Sequence, residues 1–168
     1  VPESFLSDIA DTDEPPRIEY EGNWLLTIIR IPVQSQEQGI PFTTIPLGIM
    51  TNNEIIISVC YYKTELIPDF IRYTRRKEVA VWFLKYLKQI NNEVAHAEKA
   101  LEKSIRNEDL LRLMKLEKSM VYFNTSIRGN EVMLTKLQSI FQEPVYMDNE
   151  LVEDVETELK QAHLTVNI

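Results

Sequence analysis

A chain of 168 residues and 19.7 kDa, 44% hydrophobic and 26% charged, has enough apolar material for one real core and reads as folded rather than disordered. Eighteen Lys and Arg against 26 Asp and Glu leave a net charge of −8, which repels phosphate backbones, argues against nucleic acid, and favours hard cations or basic partners. A lone Cys60 excludes an internal disulfide and a thiolate zinc site, and the four scattered glycines leave no glycine-rich phosphate cradle.

The chain opens at Val1, as expected of a fragment or a processed product, and it carries no secretory signal, so it reads as cytoplasmic. No run of 18 apolar residues is present to span a bilayer. Prolines and β-branched runs fill the first sixty residues and predict sheet. After Asp8, Asp11, Asp13 and Glu14 and the pair Pro15-Pro16, the segment Arg17 to Ile31 reads as strand, turn at Glu21-Gly22-Asn23, and strand, either as a hairpin or as one bulged strand. Pro32 is expected to end that run, and QSQEQG, residues 34–39, to form a polar loop. Thr43 to Met50 and Glu54 to Tyr61 form a second hairpin about Thr51-Asn52-Asn53, because Asn tolerates positive φ between apolar runs. Pro46 inside the third strand predicts an edge position or a bulge, since it cannot donate to a ladder.

From Ile67 the hydrophobic period lengthens to that of a helix. Pro68 to about Arg76 reads as a short helix, and Lys77 or Glu78 opens a long one with the seam Phe83, Leu87, Ile90, Val94, Ala97, Leu101 and Ile105. A second seam runs through Leu113, Leu116, Met120, Phe123, Ile127, Asn130, Leu134, Leu137 and Phe141 until Pro144. The short break at Arg106-Asn107 favours an antiparallel helical hairpin. Asn130, the polar member of that seam, either fixes register or sits partly exposed with no special role. A third helix begins near Asp148 and carries Leu151, Val155, Leu159, Ala162 and Val166. The fold class is therefore α+β: antiparallel strands over 1–76, a long helical hairpin over 77–146, and a further helix over 147–168.

Few residues point to chemistry. The acids Asp148, Glu150, Glu153, Asp154, Glu156 and Glu158 at the start of the last helix suit a hard dication. They equally suit the positive end of the helix dipole, with Asp148 as N-cap. The N-terminal acids do not make an EF-hand, lacking the glycine and glutamate of its frame. Ser7-Asp8-Ile9 places Asp8 on a partly buried helix surface, where a carboxylate wants a partner. His96 and His163 lie on different predicted helices with no ligand spacing, and nothing predicts an enzyme. The basic run Arg75-Arg76-Lys77 suits either lipid headgroups or a solvated helix end.

The passage Leu6 to Glu19, the stretch PLGIMTNNEIIISV, the run L-x-x-L-E-K-S-x-V-Y-F from Leu113 and the closing EDVETELKQAHLTVNI resemble, in that order, the cytoplasmic part of CorA-type divalent cation transporters. The resemblance covers nearly the whole chain and rests on order and spacing rather than on one motif. It implies part of an αβα cytoplasmic domain, the long hairpin, and a stalk helix leading to membrane helices absent from this sequence. It further implies a homopentamer in a cell or inner membrane, with this part on the cytoplasmic side, sensing intracellular Mg²⁺ between protomers to gate the pore. Alignment puts the family's two regulatory carboxylates on Asp8 and Asp154. At the family's second site this chain has Ser7 and the neighbourhood of Tyr86-Leu87, which supply no acid. The ion stays open among Mg²⁺, Co²⁺, Ni²⁺ and Zn²⁺, the last in a zinc-transporting relative. A non-transporting helical scaffold is the alternative outside transport.

Overall fold

The computed structural model describes residues 1–35, 39–68, 78–103, 106–141 and 149–166. Helix α1 (Glu3–Ala10) leads into strands β1 (Arg17–Glu21), β2 (Trp24–Gln34), β3 (Phe42–Thr51) and β4 (Ile56–Val59). Helices α2 (Glu78–Lys103), α3 (Asn107–Ile140) and α4 (Asn149–Val166) follow. The expected short helix after Pro68, the run Arg75 to Lys77, Ile105 and Asp148 lie outside the described residues.

All strand pairs are antiparallel and the sheet order is β1-β2-β3-β4, so both expected hairpins form. The first closes on a two-residue loop, with Glu21 opposite Trp24. At the second, Asn52 Oδ1 accepts the Glu54 and Ile55 amides, both at 2.9 Å, which is the local turn chemistry of Asn.

Alternation along the strands sorts the apolar side chains into two clusters. Leu26, Ile28 and Met50 pack with Phe5 and Ile9 of α1. Ile31, Ile45 and Leu47 join the large core with Phe83, Leu87 and Ile90 of α2, Phe123 and Ile127 of α3, and Leu159 and Ala162 of α4. Two contacts fix the antiparallel sense of the α2–α3 hairpin: Phe83 meets Phe123 edge to face at 5.4 Å, and Arg112 Nη2 donates to Glu93 Oε2 at 3.1 Å. Gln138 to Glu156 at 2.9 Å and Arg128 to His163 at 3.2 Å set α4 antiparallel to α3 in the same way.

The ribbon of β2 and β3 outruns its neighbours. β1 ends opposite Ile28 and β4 reaches only Gly48, whereas the β2–β3 pairing continues to Gln34 and Phe42. This explains both prolines. The backbone N–H and C=O of Arg30 both bond the Asn130 side chain, so they point away from β3 and the Arg30–Pro46 pair is a non-hydrogen-bonded one. Pro46 then turns its missing donor to the side β4 does not reach, so β3 is interior at Gly48 to Thr51 and an edge at Pro46. Pro32, two residues beyond Arg30, likewise faces away from β3. The expectation that Pro32 ends the strand is corrected: β2 runs through it to Gln34, because no ladder bond is asked of it there.

Helix α1 approaches β3 so closely that a Cβ on Gly48 would stand 2.1 Å from Ile9 Cδ1. Ile9 is fully buried and has no room to withdraw. Gly48→Ala is expected to destabilise the protein by about 1–3 kcal/mol in thermal or denaturant melts. In Gly48→Ala/Ile9→Ala the two costs should sum to less than their separate values, because truncating Ile9 vacates the space the new methyl needs.

Candidate functional site

The residues expected to hold a metal sit on separate elements. Asp8 lies in the last turn of α1, half-exposed, and the partner its position demanded is Arg17, which opens β1 and donates from Nη2 to Asp8 Oδ2 at 2.5 Å. The same guanidinium donates through Nε to Glu14 and through Nη1 to Glu19. This gathering follows from local geometry: Arg17 and Glu19 are two apart on one strand and so share a face, and Glu14 precedes Arg17 by three residues. Desolvation alone would lower the Arg17 pKa, but Glu14 and Asp8 outweigh it and hold the guanidinium above its usual value.

A second arginine anchors the segment between α1 and β1. Arg30 Nη1 donates to the carbonyls of Thr12 and Glu14 at 2.6 and 2.9 Å, Nη2 to the Thr44 carbonyl at 2.5 Å, and Nε to Thr44 Oγ1 at 3.2 Å. Burial pushes its pKa down, and the carboxylates of Asp13, Asp11 and Glu14 oppose that push. The Tyr62 hydroxyl adds a bond to the Ala10 carbonyl at 3.0 Å, so the end of α1 is also held. One half-buried cation thus collects backbone carbonyls from a loop of acids and fastens them to β3.

Helix α3 seizes the same place from the other side. Asn130 is buried, its Oδ1 accepting the Arg30 amide at 2.9 Å and its Nδ2 donating to the Arg30 carbonyl at 2.7 Å. The partly exposed reading of Asn130 does not hold: it is buried and faces the sheet, where it sets the register of α3 against strand backbone and stands in for β1 at a position β1 does not reach. Beside it, a Cβ on Gly129 would fall 2.7 Å from Pro16 Cγ, so the glycine that weakens a helix interior is what admits the proline. Ser126 Oγ meets Thr44 Oγ1 at 2.7 Å, and Ser119 Oγ accepts the Phe42 amide at 3.2 Å. α3 is therefore stitched across the ribbon by polar side chains placed among apolar ones.

Asp154 is exposed on α4, whose buried face is Leu159, Ala162 and Val166. His163 accepts from Arg128 at Nε2 and faces Glu131 across Nδ1 at 3.3 Å, and His96 is exposed. Tyr86 and Leu87 are buried in the core. Burial also raises the Cys60 thiol pKa, and its Sγ donates to the Tyr62 carbonyl at 3.4 Å. Among the described residues, no group of three or more His, Cys, Asp and Glu side chains is placed to hold a metal ion within one copy of the chain. Asp8 packs with α1 on β3 and Asp154 with α4 on α2 and α3, so the two carboxylates are accessible on different bodies of the fold. The residues missed from sequence are Arg17 and Arg30. The spacing of Glu14, Arg17 and Glu19 was a signal for the first; the carbonyl partners of the second left none.

The model for the CorA-like Mg²⁺ transporter protein family matches residues 1–167, and the chain belongs to that family, whose members are ion transporters of the membrane. The fold is similar to the complete structure of the CorA magnesium transporter from Methanocaldococcus jannaschii, with a TM-score of 0.84 at 21% identity over 99% of this chain. It is similar to the soluble domain of CorA from the same organism, at 0.83 and 21% identity, over 99% of this chain and 73% of that one. The ZntB cytoplasmic domain from Vibrio parahaemolyticus RIMD 2210633 follows at 0.73 and 11% identity, over 99% of this chain and 72% of that one. The chain spans 58% of the length of the complete transporter. No curated protein matches it in sequence. Among the described residues no helix is long and apolar enough to cross a membrane.

Asn130→Leu strands a buried amide and a buried carbonyl and is expected to cost about 2–4 kcal/mol in denaturant melts. Asp8→Asn, which weakens a half-exposed ion pair, should cost less than about 1 kcal/mol in the same experiment.

Proposed function

We propose that this chain is the cytoplasmic regulatory part of a CorA-like divalent cation transporter, and that it senses Mg²⁺ where neighbouring copies meet. The observation that carries this reading is the placement of Asp8 and Asp154: both are accessible, and they stand on separate elements with no complete ligand set in one copy among the described residues. A site built from them needs a second copy of the chain, and the family reading makes that assembly a homopentamer.

The donors fit a hard ion. Both are carboxylates, which together with water suit Mg²⁺, while the thiol of Cys60 is held protonated and His163 is engaged by Arg128. Mg²⁺ keeps several waters and needs only one or two protein carboxylates, so one from each copy is enough. Co²⁺ and Ni²⁺ would also be accepted by such a site, and Zn²⁺ less well.

Asp8 of one copy and Asp154 of the next, both ionised and about 4 Å apart, would repel by about 4 kcal/mol at an effective dielectric of 20. A shared dication removes that repulsion and holds the copies together. As intracellular Mg²⁺ falls the carboxylates separate, and α4, as the stalk, carries the change to the pore; binding to the closed assembly alone supplies the bias by mass action.

In the intact protein, MgCl₂ should raise the melting temperature and protect against limited proteolysis. Asp8→Asn and Asp154→Asn should each move the midpoint of that response at least tenfold higher in Mg²⁺. Responses equal to wild type in both variants would remove these residues from the role.

A further inference from the structure

We propose that Arg17 is a tethered counter-ion that competes with a divalent cation for Asp8 and so sets the concentration at which the site responds; this rests on the reading of Asp8 given above. A free carboxylate at Asp8 would bind a dication with all its charge available. Here Oδ2 is already taken by Arg17 Nη2 at 2.5 Å. A guanidinium presents five donors in a fixed fork and never loses its proton at working pH, so this competitor is always present at a fixed local concentration.

The other contacts of Arg17 decide whether it blocks the site or yields. Nε is held by Glu14 and Nη1 by Glu19, so Arg17 can leave Asp8 without losing its remaining partners or entering water unpaired. Three carboxylates against one guanidinium leave two net negative charges at this spot, so a dication is still attracted after Asp8 has been half-neutralised. Exposures of 30% for Arg17 and 31% for Asp8 let solvent and ions reach the pair. Yielding is therefore cheap and reversible, which is what a competitor requires.

Two consequences follow. Affinity at Asp8 is lowered toward the concentrations of an abundant ion, as expected when an internal cation occupies the ligand. The repulsion that opens the interface on ion loss is also reduced, because Asp8 is never left bare.

The test is a MgCl₂ titration of the intact protein, read by limited proteolysis and by melting temperature, in wild type, Arg17→Gln, Arg17→Lys and Asp8→Asn. Arg17→Gln should shift the midpoint about tenfold lower in Mg²⁺, equivalent to about 1.4 kcal/mol, and Arg17→Lys, which keeps the charge but not the fork, should fall between it and wild type. The melting temperature without Mg²⁺ reports any purely structural cost separately, and should Arg17→Gln fail to fold, Arg17→Lys decides alone. A midpoint for Arg17→Gln within twofold of wild type, or for Arg17→Lys no lower than wild type where Arg17→Gln does not fold, with Asp8→Asn still weakening the response, overturns the role of Arg17 and leaves the site standing. A wild-type response untouched by Asp8→Asn overturns the site and the role together.

Discussion

Two strands that outrun their sheet leave backbone groups to be satisfied, and the rest of this structure is arranged around how that is done. Past Ile28 strand β2 has no neighbour on the β1 side, so the amide and carbonyl of Arg30 would be buried without partners. Asn130 supplies both bonds from the middle of a helix of 34 residues, roughly 50 Å long. Once that pair is made, the position of α3 along the ribbon is set. Gly129 then meets Pro16, Ser126 meets Thr44 and Ser119 meets Phe42.

Arg30 works in both directions from this point. Its backbone is held by α3, while its side chain gathers the carbonyls of Thr12 and Glu14. The acidic segment and the long hairpin are thus fastened to one residue of β2, and α4 is fastened to the hairpin by Arg128, Glu131 and Gln138. Contacts of this kind link the acidic loop after α1 to α4 through side chains of β2 and α3. Coupling in the thermodynamic sense requires two states that both ends bias, which the proposed clamp between copies would supply.

Much of this was legible in the sequence. Periodicity located the strands and the hairpin because burial on one face leaves a spacing that survives without knowledge of the partner. It failed where the partner mattered. Asn130 falls in the helical seam and was read against other helices, yet the surface it meets is strand backbone, which carries no sequence signal. A proline such as Pro32 stops a strand only where a ladder bond is required of it, and register decides this. The Ser7-Asp8-Ile9 context predicted a half-buried carboxylate with a partner, and the spacing of Glu14, Arg17 and Glu19 would have named it. Arg30 was beyond reach, since its acceptors are mostly main-chain oxygens brought near by the fold.

The Asn130 side chain replaces a strand at Arg30. Native-state hydrogen exchange of the Arg30 amide measures it directly. Its protection is expected to match that of the β2 amides bonded within the ladder, and to be lost at Arg30 but kept at those neighbours in Asn130→Ala. Rapid exchange of the Arg30 amide in the wild-type protein, at the rate of an open sheet edge, would contradict it.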